Sequence, residues 1–454
     1  MSDNAKLRAI PAIEKLLQSL GQIDMPRPAL VAVVRREVAA LRKEPAIPSY
    51  DEVLARVRKS VDQLRAQRIQ PVLNGTGIII HTNLGRSPLS SAVLETLQSI
   101  GGDYNNLEYD LVAGERGGRA GYLEHNLAIL CGAEAATVTN NCAAALVLAL
   151  RHFTSGERKE VIISRGELVQ IGGGFRIPEV LEASGCTLRE IGATNKTSLA
   201  DYRRAISKNT AIILKVHRSN FFMCGFIESP STEELSELAR SKRLPFIEDL
   251  GSGAIVETAD IPGAEHEPTP AEVLKRGVDL VTFSGDKLFG GPQAGIIVGK
   301  AKMVAALKRE PFFRALRCDK LILSALQTAV DCYLHGAPTM ANVIDLMLRA
   351  SKEELETRAK SIITNLGGVP AKITIGLGKA QVGGGTLPKA VIESVTIDVI
   401  PKNISLADFA ARLRSGPMPL IGYVSANRFK IDLRTILKSR DVDVIRALQQ
   451  ALVK

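Results

Sequence analysis

The sequence predicts an α/β protein whose sheet is mainly parallel and covered by helices on both faces. From about residue 71, short β-rich runs alternate with helical stretches, as in chains of strand–helix–strand units. Runs such as "TAIILKVH" and "VDLVTFS" are almost continuously apolar, which is typical of strands buried on both faces. Segments such as "STEELSELARSKR" between them are amphipathic and would cover the sheet. We expect this core domain to span residues 71–320.

Residues 1–70 predict a separate helical domain in front of the core. Apolar residues recur at helical spacing from Ile10 to Leu20, and again in "LVAVVRREVAALRK" and "YDEVLARVRKSVDQLRAQR". The segment has 13 Lys and Arg against 8 Asp and Glu, which is half of the chain's formal net charge of +10. This charge fits either a solvated helical face or a module that docks on a polyanion.

Residues 321–454 predict a smaller α+β domain. The helical segment "LILSALQTAVDCYLHG" opens it, and strands and helices then alternate up to "FKIDLRTILKSRDVDVIRALQQALVK". The glycines at 383–385 indicate a loop within this domain.

The amino-acid composition is that of a soluble globular protein. Hydrophobic residues make up 45% and charged residues 23% of the 454 residues, as in ordinary soluble globular proteins. The six cysteines form no CxxC pair and no Cys/His cluster, which argues against a metal site or a disulfide framework and favours a reducing compartment. No run approaches the roughly 18 apolar residues of a membrane span, and the first residues lack the apolar core of a signal peptide. We therefore expect a cytoplasmic protein with no membrane partner.

Polar residues follow three of the predicted strands, where ligands gather in parallel α/β folds. In "VTNNCAAAL", Asn141 precedes an alanine-rich helix, whose N–H groups and dipole could bind an anion, although simple capping by Asn is the commoner use. In "PFIEDLGSG", Glu248 and Asp249 end a strand, and such a carboxylate could be a metal ligand, a base or the partner of a protonated ring nitrogen.

The third strand end carries a lysine in the stretch "VTFSGDKLFGG". A lysine removed from water has a lowered pKa and becomes the free amine that imine-forming chemistry requires, so Lys287 is a candidate nucleophile. A surface lysine in a glycine-rich turn is the alternative interpretation.

The order of the three strand ends resembles that of the aspartate-aminotransferase-like enzymes, which depend on pyridoxal 5′-phosphate (PLP). An anion-binding helix start is followed by an acidic strand end and, 38 residues later, by a lysine. In that group of enzymes the helix start holds the cofactor phosphate, the carboxylate pairs with the pyridinium nitrogen and the lysine carries the Schiff base. The resemblance implies a PLP-dependent transferase of fold type I, with the cofactor in the domain spanning residues 71–320.

Longer motifs resemble one family within this group, the bacterial selenocysteine synthases, or L-seryl-tRNA(Sec) selenium transferases. The likeness runs from "LRAIPAIEKLL" near the start to "IDLRT" near the end. The matching segments are "PVLNGTGIIIHTNLGRSPLS", "YDLVAGERGGR", "ISRGELVQIGGGFRIPEV", "KVHRSNFFMCGF", "EDLGSG", "FSGDKLFGGPQAGIIVGK" and "RALRCDK".

The resemblance implies roles for individual residues. Lys287 would bind PLP covalently and Asp249 would keep its ring nitrogen protonated. Asp286 would assist proton transfer, and His217 could contact the cofactor ring, although a structural histidine is an equal alternative. The residues implied in phosphate binding are, for the cofactor, Asn141, Cys142, Ala143 and Ser284 and, for the selenium donor, Arg86, Arg314 and Arg317.

The implied reaction converts L-seryl-tRNA(Sec) to L-selenocysteinyl-tRNA(Sec) through a PLP-bound aminoacrylyl intermediate, with selenophosphate as selenium donor. The implied partners are serine-charged tRNA(Sec), bound by residues 1–70, and further copies of the chain in a decameric ring of dimers. The chain departs from the family pattern at five positions, which are Cys142, Arg218, Phe312, Phe313 and Tyr423.

Two alternatives to this function stay open. One is a PLP-dependent β-eliminating lyase that acts on a small amino acid or an amino sugar phosphate, since such an enzyme would share the core and could use the same arginines. The basic helical segment favours the tRNA enzyme, because a small-molecule lyase has no obvious need for it. The other is a non-catalytic RNA-binding protein of the same fold, against which the intact Lys287 argues.

Overall fold

The computed structural model describes residues 9–170, 172–174, 176–337 and 342–453. The chain forms two compact units. The first runs to Val72 and includes Arg414–Pro419, and the second comprises the rest of the chain from Leu73 onwards. Of the segments considered above, residues 1–8, Ile171, Phe175, residues 338–341 and Lys454 lie outside the described residues.

The first unit is built on three helices, α1 (Ile13–Leu20), α2 (Arg27–Leu41) and α3 (Tyr50–Ala66). Their shared core is made by apolar residues at helical spacing, among them Leu16, Val34 and Val57, which are fully buried. α3 begins with a capping box, in which Ser49 and Glu52 each bond the other's backbone N–H. The helical pattern of the sequence therefore corresponds to a small unit with a core of its own.

The second unit contains the remaining elements, apart from Arg414 and Ser415 at the end of one helix. Its helices are α4 (Ser91–Gly102), α5 (Gly121–Cys131), α6 (Cys142–Phe153), α7 (Ile177–Ala183), α8 (Leu199–Ala205), α9 (Thr232–Lys242), α10 (Pro270–Lys275), α11 (Ala301–Arg309), α12 (Lys320–Leu334), α13 (Val343–Arg349), α14 (Lys352–Leu366), α15 (Leu406–Ser415) and α16 (Asp441–Val453). Its strands are β1 (Leu73–Asn74), β2 (Ile78–Ile80), β3 (Tyr109–Asp110), β4 (Glu115–Arg116), β5 (Ala135–Thr139), β6 (Glu160–Ser164), β7 (Thr187–Ile191), β8 (Thr210–Val216), β9 (Phe246–Gly251), β10 (Leu280–Ser284), β11 (Gly295–Gly299), β12 (Ala371–Gly383), β13 (Thr386–Pro401), β14 (Leu420–Ile421), β15 (Tyr423–Ser425) and β16 (Arg428–Asp432).

Seven strands form the main sheet, in the order β5-β11-β10-β9-β8-β6-β7. β11 is antiparallel to both of its neighbours, and the other neighbouring pairs are parallel. Separate apolar clusters pack on the sheet, one with residues of α5, α9 and α12 and the other with residues of α6, α7 and α11. Helices thus cover both faces, and the predicted fold class is confirmed.

A second sheet has the order β15-β16-β13-β12-β2, and the long β12–β13 hairpin is its largest part. β2 comes from the beginning of the unit and pairs parallel with β12, so that Ile80 lies beside Gly383. This pairing brings the turn after β2 next to the glycine turn of the hairpin. The domain boundary expected near residue 320 stays a prediction.

Among the described residues, no helix combines the length and the apolar character that crossing a membrane requires.

Candidate active site

The carboxyl ends of β5, β8, β9 and β10 open into a cavity of about 1060 Å³. Parallel strands end at the same edge of a sheet, so residues far apart in the chain meet there. The residues singled out in the sequence that line this cavity are Arg86, Asn141, Cys142, Ala143, His217, Asp249, Ser284 and Lys287.

The start of α6 offers backbone donors to this cavity. The Oδ1 atom of Asn141 caps the helix by accepting a hydrogen bond from the Ala144 N–H at 2.8 Å. The N–H groups of Cys142 and Ala143 precede the first hydrogen bond within the helix, so they can bind an anion where the helix dipole is positive. Capping and anion binding are therefore compatible at this helix start.

Asp249 is the carboxylate that reaches the cavity, whereas Glu248 points to the opposite face of β9. Glu248 accepts a hydrogen bond from Thr232 and lies 3.6 Å from the Lys215 Nζ atom. The sheet geometry thus brings to the cavity Asp249, the acid that the family resemblance implied, and leaves Glu248 on the other face.

Two side chains hold one oxygen of Asp249. Its Oδ1 atom accepts hydrogen bonds from the Thr282 hydroxyl at 2.7 Å and from the Cys142 thiol at 3.3 Å. Burial raises the pKa of Asp249, and the two donors together with the nearby Lys287 and His217 side chains oppose that rise. Burial and the neighbouring Asp249 raise the pKa of the Cys142 thiol, which keeps its proton available for donation.

Lys287 lies in the turn that follows β10, where its carbonyl accepts a hydrogen bond from the Gly290 N–H at 2.9 Å. Two glycines with positive φ border its amine. A Cβ atom at Gly251 would stand 3.8 Å from the Lys287 Nζ atom, and one at Gly385 would stand 4.0 Å away. Lys287 and both glycines line the cavity, so the amine lies beside backbone that carries no side chain.

His217 follows β8 and is held from two sides. Its backbone N–H donates to the Asp249 carbonyl at 2.8 Å, and its Nε2 atom lies 3.0 Å from the Glu267 Oε1 atom. Glu267 is only 3% exposed. Sequence reasoning missed Glu267, because the loop "AEHEPTP" that carries it has no pattern that connects it with residue 217.

Arg86 and Asp286 form an ion pair beside the cavity. The Arg86 Nη1 atom lies 2.7 Å from the Asp286 Oδ2 atom, and the two side chains are 31% and 7% exposed. Arg86 has a φ of +64°, an uncommon conformation for a residue with a Cβ atom. Its N–H donates to the His81 carbonyl at 3.0 Å, which closes the tight turn after β2. Such strained residues cluster at functional sites.

Arg314 and Arg317 do not line the cavity in this structure. Arg314 is exposed on a short 3-10 helix, Pro311–Leu316, and the Nη1 atom of Arg317 lies 3.7 Å from the Glu108 Oε1 atom. Phe312 and Leu316 of the same helix do line the cavity. The structure therefore brings Arg86 to the cavity and leaves the other two arginines outside it.

Comparison with known proteins identifies the family of the chain. The model of the family described as L-seryl-tRNA selenium transferase matches residues 72–437. The L-seryl-tRNA(Sec) selenium transferase of Geotalea uraniireducens is 43% identical over 98% of both chains, and that of Carboxydothermus hydrogenoformans is 40% identical over 98% of both. A solved D-glucosaminate-6-phosphate ammonia-lyase shares the fold, with a TM-score of 0.59 and 20% identity over 86% of this chain and 98% of its own. The full-length identity to several transferases shows that the chain belongs to the L-seryl-tRNA(Sec) selenium transferase family.

Proposed function

We propose that the protein converts L-seryl-tRNA(Sec) to L-selenocysteinyl-tRNA(Sec), with PLP as cofactor and selenophosphate as selenium donor. The observation that carries the proposal is the meeting of Lys287, Asp249 and the start of α6 in one cavity of a chain from this family. Each of the three supplies a group that the cofactor needs.

The chemistry of these residues fits PLP. The cavity that Lys287 lines, bordered there by Gly251 and Gly385, has room for an aldehyde carbon next to the amine. Among the described residues, both donors to the Asp249 carboxylate reach Oδ1, which leaves Oδ2 for a protonated ring nitrogen. The N–H groups at the start of α6, together with Ser284, would hold the phosphate. When bound, PLP supplies an electron sink for the breaking of bonds at the α-carbon of an amino acid.

The side chains of the cavity would then carry the proton transfers. The Lys287 amine removes the α-proton of the seryl group, as a general base positioned within the cavity. Asp286, which directly precedes Lys287 in the chain and lies beside the cavity, assists proton transfer to the departing β-hydroxyl. His217 is held by Glu267 and would lie against the cofactor ring. The overall reaction replaces the β-hydroxyl with selenium and releases phosphate.

The donor phosphate would bind to arginine side chains, whose planar guanidinium groups match phosphate oxygens. Arg86 lines the cavity and is 31% exposed, so it can reach a ligand there. Arg314 and Arg317 lie on or next to the 3-10 helix whose Phe312 lines the cavity, and we assign them a role in holding the donor when it binds.

The basic helical segment would bind the tRNA. Its arginines include Arg27 and Arg36, whose side chains are 70% and 68% exposed, and such groups can contact phosphates of a folded RNA. Residues 1–70 are thus proposed as the tRNA-binding domain, residues 71–320 as the catalytic domain and residues 321–454 as the C-terminal domain.

Self-association into a decameric ring of dimers is proposed from the family resemblance. The β3–β4 hairpin supports an interface, because its tip residues Leu111 and Val112 are 73% and 99% exposed. The "GERGGR" loop, residues 114–119, follows this tip and would cross between subunits.

The direct test is incubation of the purified protein with seryl-tRNA(Sec), PLP and selenophosphate, followed by identification of the esterified amino acid. We expect selenocysteine on the tRNA, and no selenocysteine when PLP or selenophosphate is left out. Elimination from free amino acids or amino sugar phosphates, with no change to seryl-tRNA(Sec), would instead point to a small-molecule lyase.

A further inference from the structure

A second cavity, of about 400 Å³, adjoins the first and is called the side cavity below. Its lining includes Arg86 and Asp286 and the polar side chains of Thr82, Ser87 and Gln293. Thr82, Arg86 and Gln293 line both cavities. The Arg86–Asp286 ion pair therefore stands at the junction between the side cavity and the main cavity.

The ion pair leaves most of the guanidinium unused. Arg86 donates to Asp286 from Nη1 alone, and this is its one side-chain hydrogen bond among the described residues. A guanidinium has five N–H donors in a rigid fork and binds a carboxylate or phosphate best with two parallel hydrogen bonds. A tetrahedral dianion in the side cavity could use donors that Asp286 does not occupy.

The ion pair also leaves the carboxylate poorly satisfied. The Asp286 Oδ1 atom is buried and has no hydrogen-bond partner among the described residues. Burying a charged group whose hydrogen-bonding capacity is not met costs free energy. The Arg86–Asp286 ion pair therefore stabilises the protein less than a fully hydrogen-bonded ion pair would. Its arginine, in contrast, is anchored by the turn between His81 and Arg86, with Gly85 at a φ of +91°. The side chain can thus change partner while its backbone stays in place.

We propose that Asp286 occupies Arg86 as an internal counter-ion, and that a tetrahedral dianion entering the side cavity displaces it. Donor binding and the release of Asp286 are then one event. The carboxylate becomes free beside Lys287 only when the donor is present, which delays chemistry until both substrates are bound. This inference deepens the proposed function and rests on it for the identity of the natural dianion.

The test uses sulfate as the probe, because it keeps its double negative charge throughout the neutral pH range. Sulfate binding to the PLP-loaded protein is measured by calorimetry for the wild type, Asp286→Asn, Arg86→Gln and the double variant. We expect Asp286→Asn to bind sulfate roughly tenfold more tightly, as release of a partly buried ion pair predicts. Arg86→Gln should bind sulfate weakly. When Asp286→Asn is added to Arg86→Gln, sulfate affinity should change little.

Two further variants serve as a control and as a replacement in this test. Asp260→Asn removes the partner of another arginine, Arg349, whose Nη1 atom lies 2.9 Å from Asp260, and should leave sulfate affinity unchanged. If Asp286→Asn does not fold or load PLP, Asp286→Ser removes the same charge and carries the same expectation.

Three results would overturn the exchange. The first is a sulfate affinity in the Asp286 variants that is equal to or lower than that of the wild type. The second is a rise in sulfate affinity on Asp286→Asn that is as large in the Arg86→Gln background as in the wild type. The third is no sulfate binding by either the wild type or Asp286→Asn. None of them involves tRNA, so failure here leaves the proposed reaction standing. Conversely, failure to form selenocysteinyl-tRNA would remove the reaction while leaving a positive sulfate result intact.

Discussion

At the scale of single residues, the proposed chemistry depends on how neighbouring groups set the charge of the Asp249 carboxylate. The carboxylate is 9% exposed and accepts hydrogen bonds from Thr282 and Cys142. Cys142 is also one of the positions at which the sequence resemblance predicts a departure from the family pattern. Its thiol donates a hydrogen bond, although a weaker one than a side-chain amide would.

Removal of the Cys142 donor should weaken cofactor binding. In Cys142→Ala, fewer hydrogen-bond donors counteract the effect of burial on the pKa of Asp249. This pKa therefore rises further, and the carboxylate loses its charge at a higher pH. We expect PLP affinity near neutral pH to fall about two- to fivefold, the effect of one modest hydrogen bond. The measurement is PLP affinity against pH, with Cys142→Asn as the control that keeps a donor. An unchanged pH profile in Cys142→Ala would contradict the role of the thiol.

A second residue, Glu167, should make stability depend on pH. Burial raises its pKa from 4.5 to about 7, and a hydrogen bond from the Val216 N–H opposes that rise. Because the folded protein holds this proton more tightly than the unfolded chain, stability falls as the pH rises from about 4.5 to about 7.

Substitution of Glu167 by Gln should remove this pH dependence, since the amide keeps an acceptor for Val216 but does not titrate. We expect the thermal midpoint of the wild type to fall by a few degrees more than that of Glu167→Gln between pH 5 and pH 8. Glu190→Gln, at an exposed position, is the matched control. Equal slopes for Glu167→Gln and the wild type would refute the assignment.

At the scale of elements, the side chains of the candidate site are positioned by the ends of strands and the starts of helices. β9 contains a bulge directly after Asp249. Thr282 of β10 pairs with Asp249, whereas the next residue, Phe283, pairs with Gly251. A bulge re-aims nearby side chains and is common next to active sites. α6 starts at the same edge of the sheet and is capped by Asn141.

Loss of the Asn141 cap should destabilise α6. Asn141→Ala removes the acceptor for the Ala144 N–H, and we expect the free energy of unfolding to fall by about 1 kcal/mol. Asn141→Ser keeps a capping oxygen and should retain most of the stability. Chemical denaturation of the three proteins without cofactor measures the effect, and equal midpoints would show that the cap contributes nothing.

The sequence predicts those parts of the site that lie at the ends of regular elements. Asn141, Asp249 and Lys287 each follow or end an apolar run, so a local pattern reveals them. Partners from distant segments leave no local pattern. Asp286 meets Arg86 across 200 positions, and the Cys142 thiol meets Asp249 across 107. Pairing of β2 with β12 likewise brings Gly385 near Lys287 through long-range contacts.

At the scale of the whole molecule, the most basic part of the chain is separate in sequence from the residues that line the main cavity. The residues that line the main cavity lie between Thr82 and Gly385, all within the second compact unit. Half of the net charge lies in residues 1–70. This separation predicts that tRNA binding and PLP binding can be removed independently.

Deletion of residues 1–70 should weaken tRNA(Sec) binding while the shortened protein still binds PLP. Affinity of the full chain for tRNA should also fall as salt increases, because contacts with phosphates release counter-ions. Filter binding at several salt concentrations, together with the absorption of bound PLP, measures both effects. Unchanged tRNA affinity after the deletion, or insensitivity to salt, would contradict the assignment of a charge-driven tRNA domain.

The central claim is that Lys287 anchors the cofactor that drives selenium transfer. The most direct measurement is reduction of the PLP-loaded protein with borohydride, followed by mass spectrometry of its peptides and a selenium-transfer assay of the matched variants. We predict the PLP adduct on Lys287, neither adduct nor selenocysteinyl-tRNA with Lys287→Ala, and both with Lys302→Ala, which alters an exposed lysine of α11. An adduct on another lysine, or selenocysteinyl-tRNA formed by Lys287→Ala, would contradict the account.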